Sequence, residues 1–460
     1  MPEGYCVKCK AKKEIAEAVE ETMKNGRKAI KGKCPTCGVV MFKILGGKAA
    51  VATAAAVGAP KGDTQSSKVS MTQQLAYVII TPYTLHKSRT GGILARLITR
   101  TGLELVAARM FAPSAELVQK YSDVVISTAD PQDRRIQELI RDYILRNLAP
   151  DPKTKRPRRA MVLLFRGEEA VRKVRSVVGN ISAERRGGET IRDTYGDLIL
   201  DEHDQVRYFE PAVLAAPTPD EAVAKLKLWA SYSDRDGGIV NDTLIYGPDD
   251  KPQRTLVLIK PDNFRFATGR PGNVIDFLSR TGLYIVGIKV HRMSVAEASE
   301  FYGPVREVLR TKLKDVVAAR AKTALEKELG FKIPPAEEKK FGEMLGPYFG
   351  DSQFDNIVKF MSGRSPADCD PELARQPGTE KCIALIYEGV EAIGKIRDVL
   401  GPTDPSKAPP GSIRREFGSN IMVNAAHASD SVESAQREMK IVKVGENNFR
   451  AVVEEVYGTV

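Results

Sequence analysis

Two groups of residues have types and spacings that could do chemistry. The first is Cys6-x-x-Cys9 and Cys34-x-x-Cys37, with 24 residues between the pairs. A two-residue gap lets a tight turn carry both sulfurs to one side, and four thiolates complete a closed tetrahedral zinc site. No coordination position is left over, so Cys6, Cys9, Cys34 and Cys37 are expected to hold a structural Zn²⁺. The other two cysteines, Cys369 and Cys382, are far apart. Cys382 lies in the apolar run CIALIY and reads as a small buried hydrophobe. Such clustering argues for metal over a disulfide framework.

The second group is NAAHASDSVESAQRE, residues 424–438, around one of only four histidines. Ser429, Asp430 and Ser431 are helix N-cap types, and a helix-like run follows them. His427 is therefore expected just ahead of a helix N-terminus, where free backbone N–H groups favour phosphate. Histidine suits a covalent role because its neutral form is available near pH 7. Glu438 lies 11 residues on, close to three helical turns, within reach to orient the ring. A G-x-x-x-x-G-K-[ST] loop and the protein-kinase signature are both absent.

The elements that must position these groups come in two copies. ILARLITRTGLELVAARMF (93–111) matches the segment at roughly 274–292, with an offset of 180 at the shared Arg-Thr-Gly-Leu. FRGEEAVRKVRSVVG (165–179) matches YEGVEAIGKIRDVLG (387–401), and TIRDTYG (190–196) matches SIRREFG (412–418), both at an offset of 222. The difference of 42 places an insertion in the second copy, at about 303–345, and its VREVLRTKLKDVVAARAKTALEKEL has helical spacing. Each copy runs strand, helix, strand, helical material, strand, helix. That order suggests an α+β fold, with helices on a mostly antiparallel sheet.

Composition sets the outer bounds. The 460 residues divide into a basic Cys-rich unit at 1–46, an Ala/Gly/Ser-rich flexible linker at 47–72, and globular copies at 73–245 and 246–460. The net charge is +11, and the first 50 residues carry 11 Lys/Arg against 5 Asp/Glu. Nucleic acid is a candidate partner for that basic unit, and a solvated charged face is the blander alternative. Apolar residues make up 42% of the chain without a run long enough to span a membrane, and the N-terminus lacks a signal-peptide core. A cytoplasmic protein with no membrane partner is expected.

NAAHASDSVESA is similar to the signature of nucleoside diphosphate kinases, a histidine in an Asn-x-x-His-x-Ser-Asp-Ser context. The resemblance extends through most of 254–440. LIKPDN (258–263) looks like the family's first strand, with Lys260 as the lysine that contacts phosphate. YEGVEAIGKIRDVLGPTDP supplies Arg397 and Thr403, and PGSIRREFG supplies Arg414. Asn424 and His427 complete the set, with Ser429 and Glu438 in the orienting positions. Tyr302 and Phe354 match an aromatic pair flanking the nucleotide base, with Tyr348 as the fallback for Tyr302. The resemblance implies two tandem ferredoxin-like domains and ping-pong transfer of the γ-phosphoryl of ATP to nucleoside diphosphates. It also implies Mg²⁺ with the nucleotide and assembly as a homo-oligomer. The competing class is a non-catalytic nucleotide- or nucleic-acid-binding protein derived from such a kinase. Residues 4–45 likewise resemble a small family of bacterial zinc ribbons.

The sequence departs from the kinase pattern at Ala428, where glycine is usual, in lacking a Gly-Arg pair before Asn424, and in the insertion. The first copy is degenerate. Thr81 stands at the lysine position, while Arg175 and Arg192 match Arg397 and Arg414. The histidine falls on Gln205 or on Leu214, depending on the gap chosen, and His203 is nearby without the Ser-Asp-Ser context. The first copy is expected to serve as an assembly partner and not to turn over.

Overall fold

The computed structural model of the chain describes residues 3–6, 8–9, 11–22, 28–44, 73–184 and 187–460. Side chains are described throughout these except at 3–6, 21–22, 28–29 and 42–44. Two compact units result, Met1–Ser67 and Lys68–Val460. The linker expected at 47–72 lies outside the described residues. Among the described residues no helix is long and apolar enough to cross a membrane.

The regular elements described in the first unit are all strands. Glu3–Cys6 pairs with Ala11–Glu14, and Ala16–Thr22, Lys28–Lys33 and Val40–Ile44 form an antiparallel sheet in that order. Among its described side chains Ile15, Cys34 and Met41 form the buried centre.

The second unit holds two antiparallel sheets of the same strand order. In the first half, β1 (Gln74–Ile80), β2 (Glu104–Phe111), β3 (Ala160–Gly167) and β4 (Val213–Leu214) lie in the order β4-β1-β3-β2, with Gly237–Gly238 added at the β2 edge. In the second half, β5 (Pro252–Ile259), β6 (Tyr284–His291), β7 (Cys382–Val390) and β8 (Ala426–Ala428) lie in the order β8-β5-β7-β6. The central strands LAYVII, MVLLF, TLVLI and CIALIY are buried at successive residues, not at alternate ones. Strands covered on both faces carry such continuous apolar runs.

Backbone detail repeats between the halves as well. Glu169 and Glu391 take φ of 51° and 57°, Ala212 and Ala425 take 60° and 69°, and Gly179 and Gly401 take 82° and 81°. Positive φ is costly for residues with a Cβ. Its presence at matched non-glycine positions marks a shared turn that the surrounding structure enforces. The halves meet where helix α1 (Thr90–Thr101) packs on helix α4 (Arg270–Leu278). A Cβ on Gly91 would lie 2.3 Å from the Gly272 carbonyl, and one on Gly272 would lie 2.2 Å from the Gly91 carbonyl, so this crossing requires glycine. Arg159 Nη1 donates to the Ile285 carbonyl at 2.6 Å across the same boundary.

The halves differ between their second and third strands. The first half has two short helices there, α2 (Ala115–Asp123) and α3 (Arg134–Asn147). The second has α5 (Val295–Lys312), α6 (Lys314–Leu329) and the 28-residue α7 (Pro335–Ser362). The segment 303–345 is thus the far part of α5, all of α6 and the start of α7. Asp351 of α7 pairs with Arg306 and Arg310 of α5, Glu343 with Lys314, and Glu338 with Lys322. The partners rise along α5 and α6 as they fall along α7, so α7 runs antiparallel to both. Gly342, Gly346 and Gly350 line the contact, and a Cβ on Gly350 would lie 2.6 Å from the Arg310 backbone.

Candidate functional site

The site is built on the edge of the second sheet. β8 pairs with β5 so that His427 lies opposite Leu258. Ahead of it, left-handed Ala425 turns its carbonyl to the Lys260 amide at 2.9 Å and to Asn263 Nδ2 at 2.7 Å. After it, Ser431 caps helix α9 (Val432–Val442) by accepting from the Ser434 amide. His427 therefore sits in a short strand just ahead of a helix start. The strand fixes the ring more firmly than a loop would.

Glu438 reaches back from α9 and contacts His427 Nε2 at 2.9 Å. Ser429 donates to the same carboxylate oxygen at 2.7 Å. Both Ser429 and Glu438 are buried. The carboxylate accepts, so the ring proton belongs on Nε2, and Nδ1 keeps its lone pair. Phe301 meets the ring edge-on at a centroid distance of 4.9 Å, and Tyr302 meets it at 5.9 Å.

A cleft of roughly 1220 Å³ opens at His427. Its walls include Lys260, Tyr302, Arg397, Thr403, Arg414, Asn424 and Glu438. Lys260 Nζ donates to Asn424 Oδ1 at 2.8 Å and to the Met422 carbonyl at 2.9 Å. An ammonium has three donors, so one remains. Burial holds the Lys260 pKa down at about 8, against the nearby Asp262 and with help from Arg414. Arg414 donates to the carbonyls of Gly401 at 2.9 Å and Ala426 at 3.3 Å, and its Nε is buried without a partner. Burial, with Arg397 nearby, lowers its pKa to about 10. Arg397 is exposed on helix α8 (Ala392–Leu400). Cations that repel one another at the edge of a cleft are suited to an anion.

Three expected residues stand differently from the sequence reading. Phe354 is 4% exposed, is not part of the cleft wall, and has the Arg306 guanidinium over its ring. Adjacent helix residues are about 100° apart. The cleft face of α7 carries Phe349, Gln353 and Ile357, spaced by four, and Phe354 is one position off it. Tyr302 lines the cleft, but its ring is largely buried beside His427, with its hydroxyl unpaired, so it is not placed as a flank for a base. The fallback Tyr348 is 75% exposed and is not part of the cleft wall. Asn424 was expected to touch phosphate or sugar. Its amide instead donates to the carbonyls of Thr403 and Ile421, and its oxygen accepts from Lys260, so it positions the lysine. Thr403 has its exposed side chain in the cleft wall.

Sequence reasoning missed Asn263, which braces Ala425, and the Arg270–Asp262 pair at 3.2 Å beside it. Both lie in or next to the LIKPDN block, but hydrogen bonding to a strained turn leaves no pattern in a single sequence. In the first unit, the sulfurs of Cys9, Cys34 and Cys37 lie within 4.8 Å of one another. Gly38, at φ 71°, donates its amide to the Cys34 carbonyl at 2.9 Å. The Cys6 side chain lies outside the described residues.

Known proteins resemble both parts. The family profile for nucleoside diphosphate kinase matches residues 371–446, and that of a domain of unknown function (DUF5679) matches residues 5–44. A nucleoside diphosphate kinase of Staphylothermus marinus is 30% identical over 190 residues, 41% of this chain and 92% of the other. One from Desulfotalea psychrophila is 29% identical over 188 residues, 41% of this chain and 93% of its own. A solved NDP kinase from Pyrobaculum aerophilum is 25% identical, covers 43% of this chain and 100% of its own, and superposes with a TM-score of 0.30.

Proposed function

Since this chain belongs to the nucleoside diphosphate kinase family, we propose that its second half transfers the γ-phosphoryl of ATP to nucleoside diphosphates through His427. The observation that carries this is the contact of His427 Nε2 with the buried Glu438. It leaves Nδ1 as the nucleophile in a cleft that Lys260, Arg397 and Arg414 also line. Nδ1 attacks the γ-phosphorus, the N–P bond forms, and the bond to the ADP oxygen breaks. A second diphosphate then attacks the phosphohistidine and regenerates the imidazole. The three cations gather charge on the transferring group where water is partly excluded. Mg²⁺ would neutralise further phosphate charge. Asp398 and Asp430, both in the cleft wall, are hard oxygen donors of the kind it accepts.

We propose further that the two halves are tandem kinase-type domains, the first degenerate, and that it supports assembly and does not catalyse. The metal reading of the ribbon rests on the sulfur geometry. Zinc–sulfur bonds of about 2.3 Å in a tetrahedron fit sulfurs this close. One zinc per chain should be found by elemental analysis, and Cys34→Ser should lose it. The same zinc content in both proteins would remove the site. Self-association through the globular halves is expected by light scattering, and a monomer at micromolar concentration would refute it.

The decisive test for the kinase is incubation with labelled ATP. A phosphoenzyme that is labile in acid and stable in base is expected, and it should be absent from His427→Ala. Label that survives acid, or that persists in the variant, places the bond elsewhere, with Ser429 and Ser431 the nearest rivals.

A further inference from the structure

Helix α9 carries Glu438 about one turn before its end, and that end is held from both halves of the globular unit. Within the second half, Lys289 Nζ donates to the carbonyls of Val442 and Lys443, each at 3.2 Å, and pairs with the Glu446 carboxylate at 2.8 Å. A cation there satisfies carbonyls that the helix leaves open and complements its negative end. From the first half, Arg109 of β2 donates through Nη2 to the Gly445 carbonyl at 3.2 Å and through Nη1 to the Glu446 carbonyl at 3.0 Å. Its Nε donates to the Ser233 carbonyl of its own half at 3.0 Å. Glu446 is thus gripped twice, by Lys289 through its carboxylate and by Arg109 through its carbonyl.

Both cations are buried. Every hydrogen bond that Arg109 makes among the described residues goes to a backbone carbonyl. A buried guanidinium satisfied in this way fixes where those carbonyls must lie. The first half leaves room for the fork, since a Cβ on Gly237 would lie 2.7 Å from Arg109 Nε. The chain then continues on the first half. Asn447 Nδ2 donates to Ser233 Oγ and Asp234 Oδ1, both at 2.7 Å, and Asn447 caps helix α10 (Asn448–Tyr457). Phe449 meets Phe111 edge-on at a centroid distance of 5.7 Å, and Tyr457 Oη accepts from the Leu75 amide at 2.9 Å. The turn after α9 is therefore pinned to the first half by Arg109 and followed at once by a helix that packs there.

We infer that Arg109 of the first half holds the end of α9 and so keeps Glu438 where it orients His427. The inference rests on the kinase reading of the cleft. Arg109 is a positioning residue, because among the described residues none of the first half lines the cleft. The link to the chemistry is short. The Glu438 carboxylate meets His427 Nε2 at 2.9 Å, so a shift in the last turn of α9 lengthens that contact and loosens the ring. The copy without a nucleophile then fixes the geometry of the copy that has one.

The test is steady-state nucleotide exchange by the full-length protein. Arg109→Met should lower kcat by roughly ten- to a hundredfold, the upper figure being that of a group misplaced by about 1 Å. KM should not move, because Arg109 does not reach the cleft. In a Glu438→Gln background the same substitution should cost nothing further, since the contact it protects is already altered. Arg159→Met removes a different hydrogen bond between the halves, to the Ile285 carbonyl, and should leave kcat unchanged. If Arg109→Met does not fold, Arg109→Lys, which keeps the charge and loses the fork, carries the same comparisons. Full kcat in the Arg109 variant, an equal loss in the Glu438→Gln background, or an equal loss in Arg159→Met would overturn the inference. Any of these with phosphoenzyme still formed by the unaltered protein sinks the positioning role alone, whereas absence of that phosphoenzyme sinks the kinase reading and the role with it.

Discussion

The two halves of the globular unit share strand order, turn geometry and a pair of arginines, and they differ in how they hold the outer one. Arg414 and Arg192 are held alike, each donating to two backbone carbonyls and each with a buried Nε that lacks a partner. In the second half Arg397 is exposed at the cleft. In the first half Arg175 is tied to the half-buried Asp130 at 3.3 Å. Arg192 donates to Gln132 at 3.1 Å and to the carbonyls of Gly179 and Val213. At the position of Lys260 the first half has Thr81, and its hydroxyl donates to Glu210 at 2.9 Å. Glu210 also accepts from Tyr143 at 2.7 Å, and burial pushes its pKa up. A carboxyl group of the protein itself thus stands beside the place where the other half would hold phosphate. The same scaffold therefore exposes its outer arginine at a cleft in one half and pairs it with a carboxylate of the chain in the other.

The strand register puts Leu214 of the first half at the position that His427 holds in the second. Leu214 lies opposite Ile79 as His427 lies opposite Leu258, with Ala212 and Ala425 in the same left-handed turn before them. Gln205 lies in a turn next to the strand Val206–Glu210, away from this edge. The largest expected effect breaks the comparison at this point. His427→Ala should abolish nucleotide exchange, because the covalent route is gone and no other group in the cleft replaces it. Leu214→His should add no phosphoenzyme, because Asp130 and Glu210 remain in place around it. Exchange persisting in the first variant, or acid-labile label at position 214 in the second, would mean that the halves are less different than their side chains suggest.

The matched arginines give the next effect. Arg414→Ala removes charge-assisted contacts to the transferring phosphoryl group, a few kcal/mol, so exchange should fall by about two to three orders of magnitude. Arg192→Ala should leave exchange intact and lower the unfolding midpoint. It strands buried carbonyls whose desolvation costs about 1–3 kcal/mol each. Urea melts and exchange rates measured on both variants separate the two outcomes. An Arg192→Ala protein with full stability and reduced exchange would give the first half a part in catalysis.

Much of the site was legible because its signals are local. The Ser-Asp-Ser run after His427 and the 11-residue spacing to Glu438 follow from helix geometry, and the structure brings the pair to 2.9 Å. The repeat exposed the succession of strands and helices in both halves, while the order of the strands within each sheet came from the structure. What sequence could not give was orientation around long helices. Phe354 and Gln353 are neighbours in the chain, yet only Gln353 lines the cleft, because which face of α7 points inward depends on how α5 and α6 pack against it. The engagement of Asn424 by backbone carbonyls was also invisible, since a carbonyl partner leaves no trace in residue type.

The smallest expected effect concerns Lys260. Burial lowers its pKa to about 8, against 10.5 for an ordinary lysine. Between those values the unfolded chain binds more protons than the folded one, so this group makes the protein more stable as pH rises from 8 to 10.5. Ligand binding should run the other way. The ammonium is the form that attracts phosphate, and it is lost as pH rises through 8. Affinity for a nucleoside diphosphate should therefore fall by up to about tenfold between pH 7 and 9, following the charged fraction of one group. Asp262 and Arg414 are the charges that tune it, and Arg414, lowered to about 10, keeps most of its charge up to pH 9. Lys260→Met should bind more weakly at pH 7 and show a flat profile. The first half has Thr81 at this position, so it contributes no such titration. A Lys260→Met protein that keeps the slope would move the titration to another group and remove Lys260 from the difference between the halves.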